Sequence, residues 1–186
     1  SHGHDRCTHE HVVDDIDALR ERLSKHLEEA DVLILSGGVS MGKADYVPEV
    51  LADLGVEVIF HKISQRPGKP MWFGNASDGQ IVFALPGNPV SGLVCTQVFL
   101  IPLIEAMQGI AAPGPRLHDG VLGAALGANG PRRDHMRARF QDGRLVPFSR
   151  QDSSMLGIMA EADALIVRMP GAPPAAAGEA CLYISL

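Results

Sequence analysis

The sequence is poor in cysteine and in aromatic residues, with three Cys, one Trp and 5% aromatics among 186 residues. Cys7, Cys95 and Cys181 lie far apart and form no C-x-x-C pair. That argues against a structural zinc site or a disulfide framework and suits reduced thiols in a cytosol. No apolar run approaches the roughly 18 to 20 residues that span a bilayer, so no membrane partner is expected. An initiating Met and a charged-then-apolar leader are both missing, so a cytoplasmic piece of a longer protein is expected. Positive charge is scarce too: the net charge is −6, which argues against a nucleic-acid partner, where phosphate neutralisation dominates affinity.

The deficit is uneven. Residues 1–115 carry 8 Lys+Arg against 15 Asp+Glu, whereas residues 116–186 carry 8 against 7. In the second part Arg132, Arg133, Arg137, Arg139, Arg144 and Arg150 crowd a short stretch, a cluster that suits a small anionic ligand.

At 46% hydrophobic and 20% charged, the chain has enough apolar material for one large or two small cores. Asp14 or Asp15 is a fair N-cap for a helix to about Ala30, with Ile16, Leu19, Leu23 and Leu27 on one face. The run Asp31–Leu35 reads as a strand buried on both sides and is broken by Ser36-Gly37-Gly38. A helix from about Tyr46 to Leu54, a strand over Val56–Phe60, a loop over Gln65–Pro70, strands at Met71–Phe73 and Ile81–Leu85 and a long helix from Val90 to Met107 follow. Strands alternating with helices predict a mostly parallel α/β sheet with flanking helices and ligands outside the strands' carboxyl ends.

Gly109–Pro115, with two prolines and two glycines, reads as a linker. Beyond it lie short strand-like pieces around Leu117–Leu126, His135–Gln141, Arg144–Ser149, Ala164–Arg168 and Cys181–Ser185, with a hairpin signal at Asp142-Gly143 and a short helix at Ser153–Ala160. Two domains are expected: an α/β domain over residues 1–112 and a small all-β barrel over 113–186.

Three stretches carry candidate chemistry. In Ser36-Gly37-Gly38-Val39-Ser40-Met41-Gly42-Lys43-Ala44-Asp45 the glycines let backbone N–H groups approach a ligand, and Ser36 and Ser40 add hydroxyls. Asp45 either caps the next helix or holds a metal ion or ligand. In Pro86-Gly87-Asn88-Pro89, Asn88 suits an N-cap and Pro89 the first helical turn; the helix start presents free N–H groups to an anion. Between them Lys62, Arg66 and Lys69 sit on a loop stiffened by Pro67 and Pro70, either as solvated charges or as cations held for an oxyanion. The N-terminal His2, His4, His9 and His11 with Cys7 match no standard zinc spacing.

Taken together, Ser36–Tyr46, Arg66-Pro67-Gly68-Lys69-Pro70 and Leu85–Ser91 resemble molybdopterin molybdenumtransferase, the MoeA family that includes the E domain of gephyrin, in order and approximate spacing. The resemblance implies a MoaB/Mog-like α/β fold followed by a small barrel. It implies insertion of molybdate into adenylylated molybdopterin, with Mg2+ and release of AMP. In those terms Asp45 resembles the acidic metal-and-phosphate residue, and Lys62, Arg66 and Lys69 the catalytic cationic loop, where relatives often carry lysine at the position of Arg66. Ser36, Gly37, Gly38, Ser40, Pro86, Gly87, Asn88 and Pro89 resemble the substrate-binding turns. Arg137, with Ser153 or Ser154, resembles the barrel residues that reach the same cleft. The resemblance also implies a homodimer. Against the family pattern, the first strand and helix with their acidic turn are not in this sequence, so the 186-residue chain is expected to catalyse weakly or not at all alone. Two other readings are a non-catalytic dimerisation or scaffold module of the same fold and a molybdopterin adenylyltransferase.

Overall fold

Asp15 opens the first helix: its carboxylate accepts the Ala18 N–H at 2.9 Å, and α1 runs Ile16–Glu29. The structure, a computed structural model, describes residues 7–13, 15–38, 46–152 and 155–186; Ser40, Asp45, Ser153 and Ser154 therefore lie outside the described residues. Next come β1 (Val32–Ser36), α2 (Val47–Asp53), β2 (Glu57–His61), a two-residue β3 (Gln65–Arg66), β4 (Trp72–Asn75) and β5 (Ile81–Leu85). A long helix follows, composed of α3 (Pro89–Cys95), a π turn at Thr96–Leu100 and α4 (Ile101–Met107).

The first sheet has the order β1-β5-β4-β2. The α/β class holds, but the sheet is mixed rather than mostly parallel. β1 and β5 are parallel, with Val32 opposite Ile81 and Ser36 opposite Leu85, while β4 is antiparallel to both β5 and β2. The reason is connection length. The turn from Asn75 to Ile81 and the loop from His61 to Trp72 are too short for a parallel crossover, which needs a dozen or more residues.

The second sheet is all-β apart from one short helix, α5 (Leu156–Ala160). Strands β6 (Leu117–Val121), β7 (Arg133–Gln141), β8 (Arg144–Pro147), β9 (Ala164–Arg168) and β10 (Ala180–Ser185) take the order β3-β7-β9-β10-β6, with β8 also on β7. Asp142 and Gly143, both at positive φ (49° and 72°), form the two-residue turn between β7 and β8, as their sequence predicts. At the far edge Leu122 bridges Leu145 and the Gly123 N–H reaches the Leu145 carbonyl at 2.8 Å. This returns the end of β6 to β8, so the sheet curls round in keeping with the expected small barrel.

The long helix lies between the sheets. Val90, Val94 and Val98 join Met159, Leu165 and Ile184 in one core, whereas Cys95 and Leu100 join Met71, Phe83 and Leu85 in another. Its π turn precedes Pro102, which has no N–H to give the Val98 carbonyl; the Ile101 N–H bonds instead to Thr96 O, five residues back. By length and composition this helix is long and apolar enough to cross a membrane, contrary to the expectation from uninterrupted apolar runs. Two flanking cores account for its apolar character.

His135 on β7 is opposite Val167 and is 2% exposed, so it faces the helix side of the second sheet, and its Nδ1 has no hydrogen-bond partner. Burial, reinforced by the Arg133 charge and opposed by Asp134, pushes its pKa down to about 4. The unfolded chain takes up this proton near pH 6.5 and the folded chain only near pH 4. The contribution of neutral His135 is therefore fully present above pH 6.5 and is lost as pH falls toward 4, by up to roughly 3 kcal/mol. Denaturant unfolding between pH 7.5 and pH 4.5 is expected to show a steeper loss of stability for the native chain than for His135→Phe; equal slopes would contradict this account.

Candidate functional site

The strand directions decide where the candidate residues meet. β4 runs opposite to both β5 and β2, and β1 runs with β5, so β1, β5 and β2 all end at one edge of the first sheet. The turns after Ser36, Leu85 and His61 therefore share a rim, within about 14 Å across three strand spacings. This is the edge at which open α/β sheets bind ligands.

At one end of the rim, main chain touches main chain. The Gly37 N–H donates to the Leu85 carbonyl at 3.2 Å, and a Cβ added to Gly87 would lie 3.3 Å from Gly37 Cα. The two glycine-bearing turns thus abut. Ser36 and Gly87 are exposed, Gly37, Gly38 and Asn88 half-buried, and Pro86 buried. Asn88 caps α3: its Oδ1 accepts the Ser91 N–H at 3.2 Å, and Pro89 stands in the first helical turn, where no N–H is wasted.

The cationic loop leaves the far side of the same edge. Its neck is closed by Lys62 N–H to Met71 O (2.8 Å) and Ile63 N–H to Lys69 O (2.9 Å), which hold Lys62 and Lys69 near each other. Lys62 adopts the left-handed conformation at φ 69°, an uncommon state for a residue with a side chain. The loop is keyed to the long helix through Gly68. With φ at 107° and a would-be Cβ only 2.5 Å from Cys95 Sγ, that position excludes any side chain. Gln65, 3% exposed, ties the tip by donating from Nε2 to Pro67 O at 2.9 Å. Burial pushes the Cys95 thiol up to about 12, so it is a packing group and not a nucleophile at neutral pH.

The three loop cations separate into two kinds. Lys62 and Lys69 are exposed and have no ion-pair partner among the described residues. Arg66 donates from Nη2 to Asp134 Oδ2 on the second sheet, and that hydrogen bond holds its pKa above the ordinary arginine value. The sequence predicts a loop over Gln65–Pro70; β3 within it pairs with β7 in parallel, Arg66 opposite Asp134.

Arg137 is 1% exposed, and its donors are engaged inside the protein. Its backbone N–H and Nε donate to Gln151 Oε1, at 3.0 and 3.4 Å, while Nη1 reaches Met155 O at 3.3 Å and Nη2 reaches Asp152 O at 3.0 Å. It fastens Gln151, Asp152 and Met155 to β7. Of the other arginines in the cluster, Arg139 lies over the Phe148 ring at 5.8 Å. Sequence reasoning missed Asp134, Gln65 and Gln151; the one signal for Asp134 was an acid directly after two arginines at a strand start. Among the described residues no group of three His, Cys, Asp or Glu side chains could hold a metal ion. Hollows of about 270 and 600 Å³ occur elsewhere, the larger between α4 and β10, and neither is lined by rim residues.

This fold defines a class: an α/β unit with helices on both faces, whose last helix is shared with a small β domain. Residues 1–106 match the family described as the probable molybdopterin binding domain, and residues 119–186 match the MoeA C-terminal region, domain IV. The chain belongs to that molybdopterin-binding family, with the MoeA-type region behind it. A molybdopterin molybdenumtransferase of Synechocystis sp. is 41% identical over 102 residues, which are 54% of this chain and 26% of the relative. One from Bacillus subtilis is 30% identical over 164 residues, 86% of this chain and 38% of the relative. The crystal structure of a molybdopterin biosynthesis MoeA protein from Pyrococcus horikosii matches with a TM-score of 0.76 and 26% identity, over 94% of this chain and 42% of that one. The chain thus spans well under half the length of these relatives.

Gly68→Ala is expected to lower unfolding stability by about 1–3 kcal/mol, because the methyl meets Cys95 Sγ in a backbone conformation hostile to it. Gly114→Ala, with open space around it and φ outside the left-handed region, is expected to stay within about 0.5 kcal/mol. Denaturant titration of both variants checks the contrast.

Proposed function

We propose that this chain is the molybdopterin-binding and C-terminal part of a molybdenumtransferase, a protein that inserts molybdate into adenylylated molybdopterin and releases AMP. The observation that carries the reading is the shared edge, with the abutting Gly37 and Gly87 turns at one end and the cationic Lys62–Lys69 loop at the other. Bare backbone at the glycines admits a ligand close to N–H groups, and the start of the long helix favours negative charge there. Lys62 and Lys69 then face the phosphate or molybdate oxygens as point charges. Fixed donors of this kind act by holding the reacting groups together and by stabilising negative charge as the phosphate bond to AMP breaks.

The MoeA-type region over residues 119–186 supports insertion over adenylylation as the reaction. The free state of all three cysteines suits the cytoplasm. The reading includes a homodimer, a division near residue 112 and weak or no turnover by this chain alone. Magnesium belongs to the reading by family only. The described residues supply no ligand set for it, and Asp45 lies outside them, so no step is assigned to it.

Calorimetric titration of the 186-residue chain with sodium molybdate and with AMP tests the proposal. Saturable binding of both is expected, weakened about tenfold, or ~1.4 kcal/mol, by Lys62→Ala and by Lys69→Ala. Each loss should also flatten the salt dependence of binding. A native chain that binds neither ligand, or lysine variants with unchanged affinity, overturns the reading.

A further inference from the structure

Arg66 and Asp134 meet across the boundary between the two sheets, and the pair is unequal. The Arg66 side chain is 54% exposed, the Asp134 side chain 5%. A carboxylate that deep is costly without a partner, so Asp134 commits Arg66 to itself rather than to solvent or a ligand. The backbone around the pair is tied in the same direction. Gln65 and Arg66 lie in register with Arg133 and Asp134, the Arg133 N–H donates to Ser64 O at 3.0 Å, and Ser64 Oγ reaches Pro131 O at 3.4 Å. On its other side the loop presses on Cys95 through Gly68. The segment between Lys62 and Lys69 is thus anchored to the second sheet at its middle and to the long helix near its end.

We propose that Asp134 is a positioning residue for the rim: through Arg66 it sets where Lys62 and Lys69 stand, and Arg66 itself does not bind the anion. The inference rests on the reading that the rim takes an oxyanion, and it divides the cationic loop into two clamping lysines and one anchoring arginine. It places the control of the rim's geometry in the second sheet, since only β7 supplies the carboxylate.

Molybdate titration of Arg66→Met, Asp134→Asn, the double variant and Arg66→Lys tests the role. Both single variants are expected to weaken binding by the same factor, about threefold to tenfold, and the double variant to match either single one, as for two residues acting as a unit. The salt dependence should stay at the native value in both, in contrast to Lys62→Ala, because no anion-facing charge is removed. Arg66→Lys, which keeps one donor for Asp134, should regain most of the native affinity. If Arg66 touched the anion, Arg66→Met would weaken binding and flatten the salt dependence, while Asp134→Asn would tighten it; that pattern overturns the positioning role and leaves the reading of the rim intact. Unchanged affinity in both single variants overturns it as well. Arg66→Met alters a half-exposed side chain, so the cycle keeps one arm should Asp134→Asn not fold. A native chain without molybdate binding overturns the reading and the positioning role together.

Discussion

One helix held between two apolar cores is the constraint on which the arrangement depends. Val90, Val94 and Val98 are buried toward the second sheet, while Cys95 and Leu100 are buried toward the first. Each such side chain contributes on the order of 1.5–3 kcal/mol through the area it removes from water. The helix therefore cannot shift toward one sheet without leaving the other. Its first turn follows directly from the Pro86–Asn88 segment, so the same packing that joins the sheets also aims that turn. The site is a by-product of where the core must lie.

Electrostatics then separates local from global behaviour. The chain as a whole is acidic, at −6, yet two lysines without ion-pair partners among the described residues stand together at one edge. A small anion within a Debye length, about 8–10 Å, senses those lysines; a long polyanion also meets the negative remainder of the surface.

Much of this was legible in the residues. Helix caps at Asp15 and Asn88, the Asp142-Gly143 hairpin and the β character of the last seventy or so residues follow from local chemistry that tertiary contacts did not override. The strand after Asp31 forms as expected but is not buried on both sides: it lies at the edge of its sheet, with Ile34 44% exposed. The mixed pairing of the first sheet was less legible, because an apolar run marks a strand but not which way its neighbour runs. β3 was hidden for a different reason. Two residues followed by Pro67-Gly68 carry no periodicity, and they form a strand only because β7 offers an edge. Arg137 shows the limit for side chains: a sequence displays its charge, whereas the carbonyls of Asp152 and Met155 that absorb its donors become neighbours only through folding.

The π turn before Pro102 has a consequence for how such a helix can change. An extra residue in one turn advances the angular phase of everything beyond it by roughly 100°. Cys95 ahead of the turn, Leu100 within it and Leu103 and Ile104 beyond it all pack in the core of the first sheet. Val90, Val94 and Val98 pack toward the second, so the phase change keeps both faces of a single rod on their own partners. Proline works here as an index mark: it sets the place where the rod changes phase, and sliding it by one position would turn the distal half away from the sheet it serves. Exposed positions along this helix, such as Leu93, are free to vary in size, while its length between Asn88 and Pro102 is not.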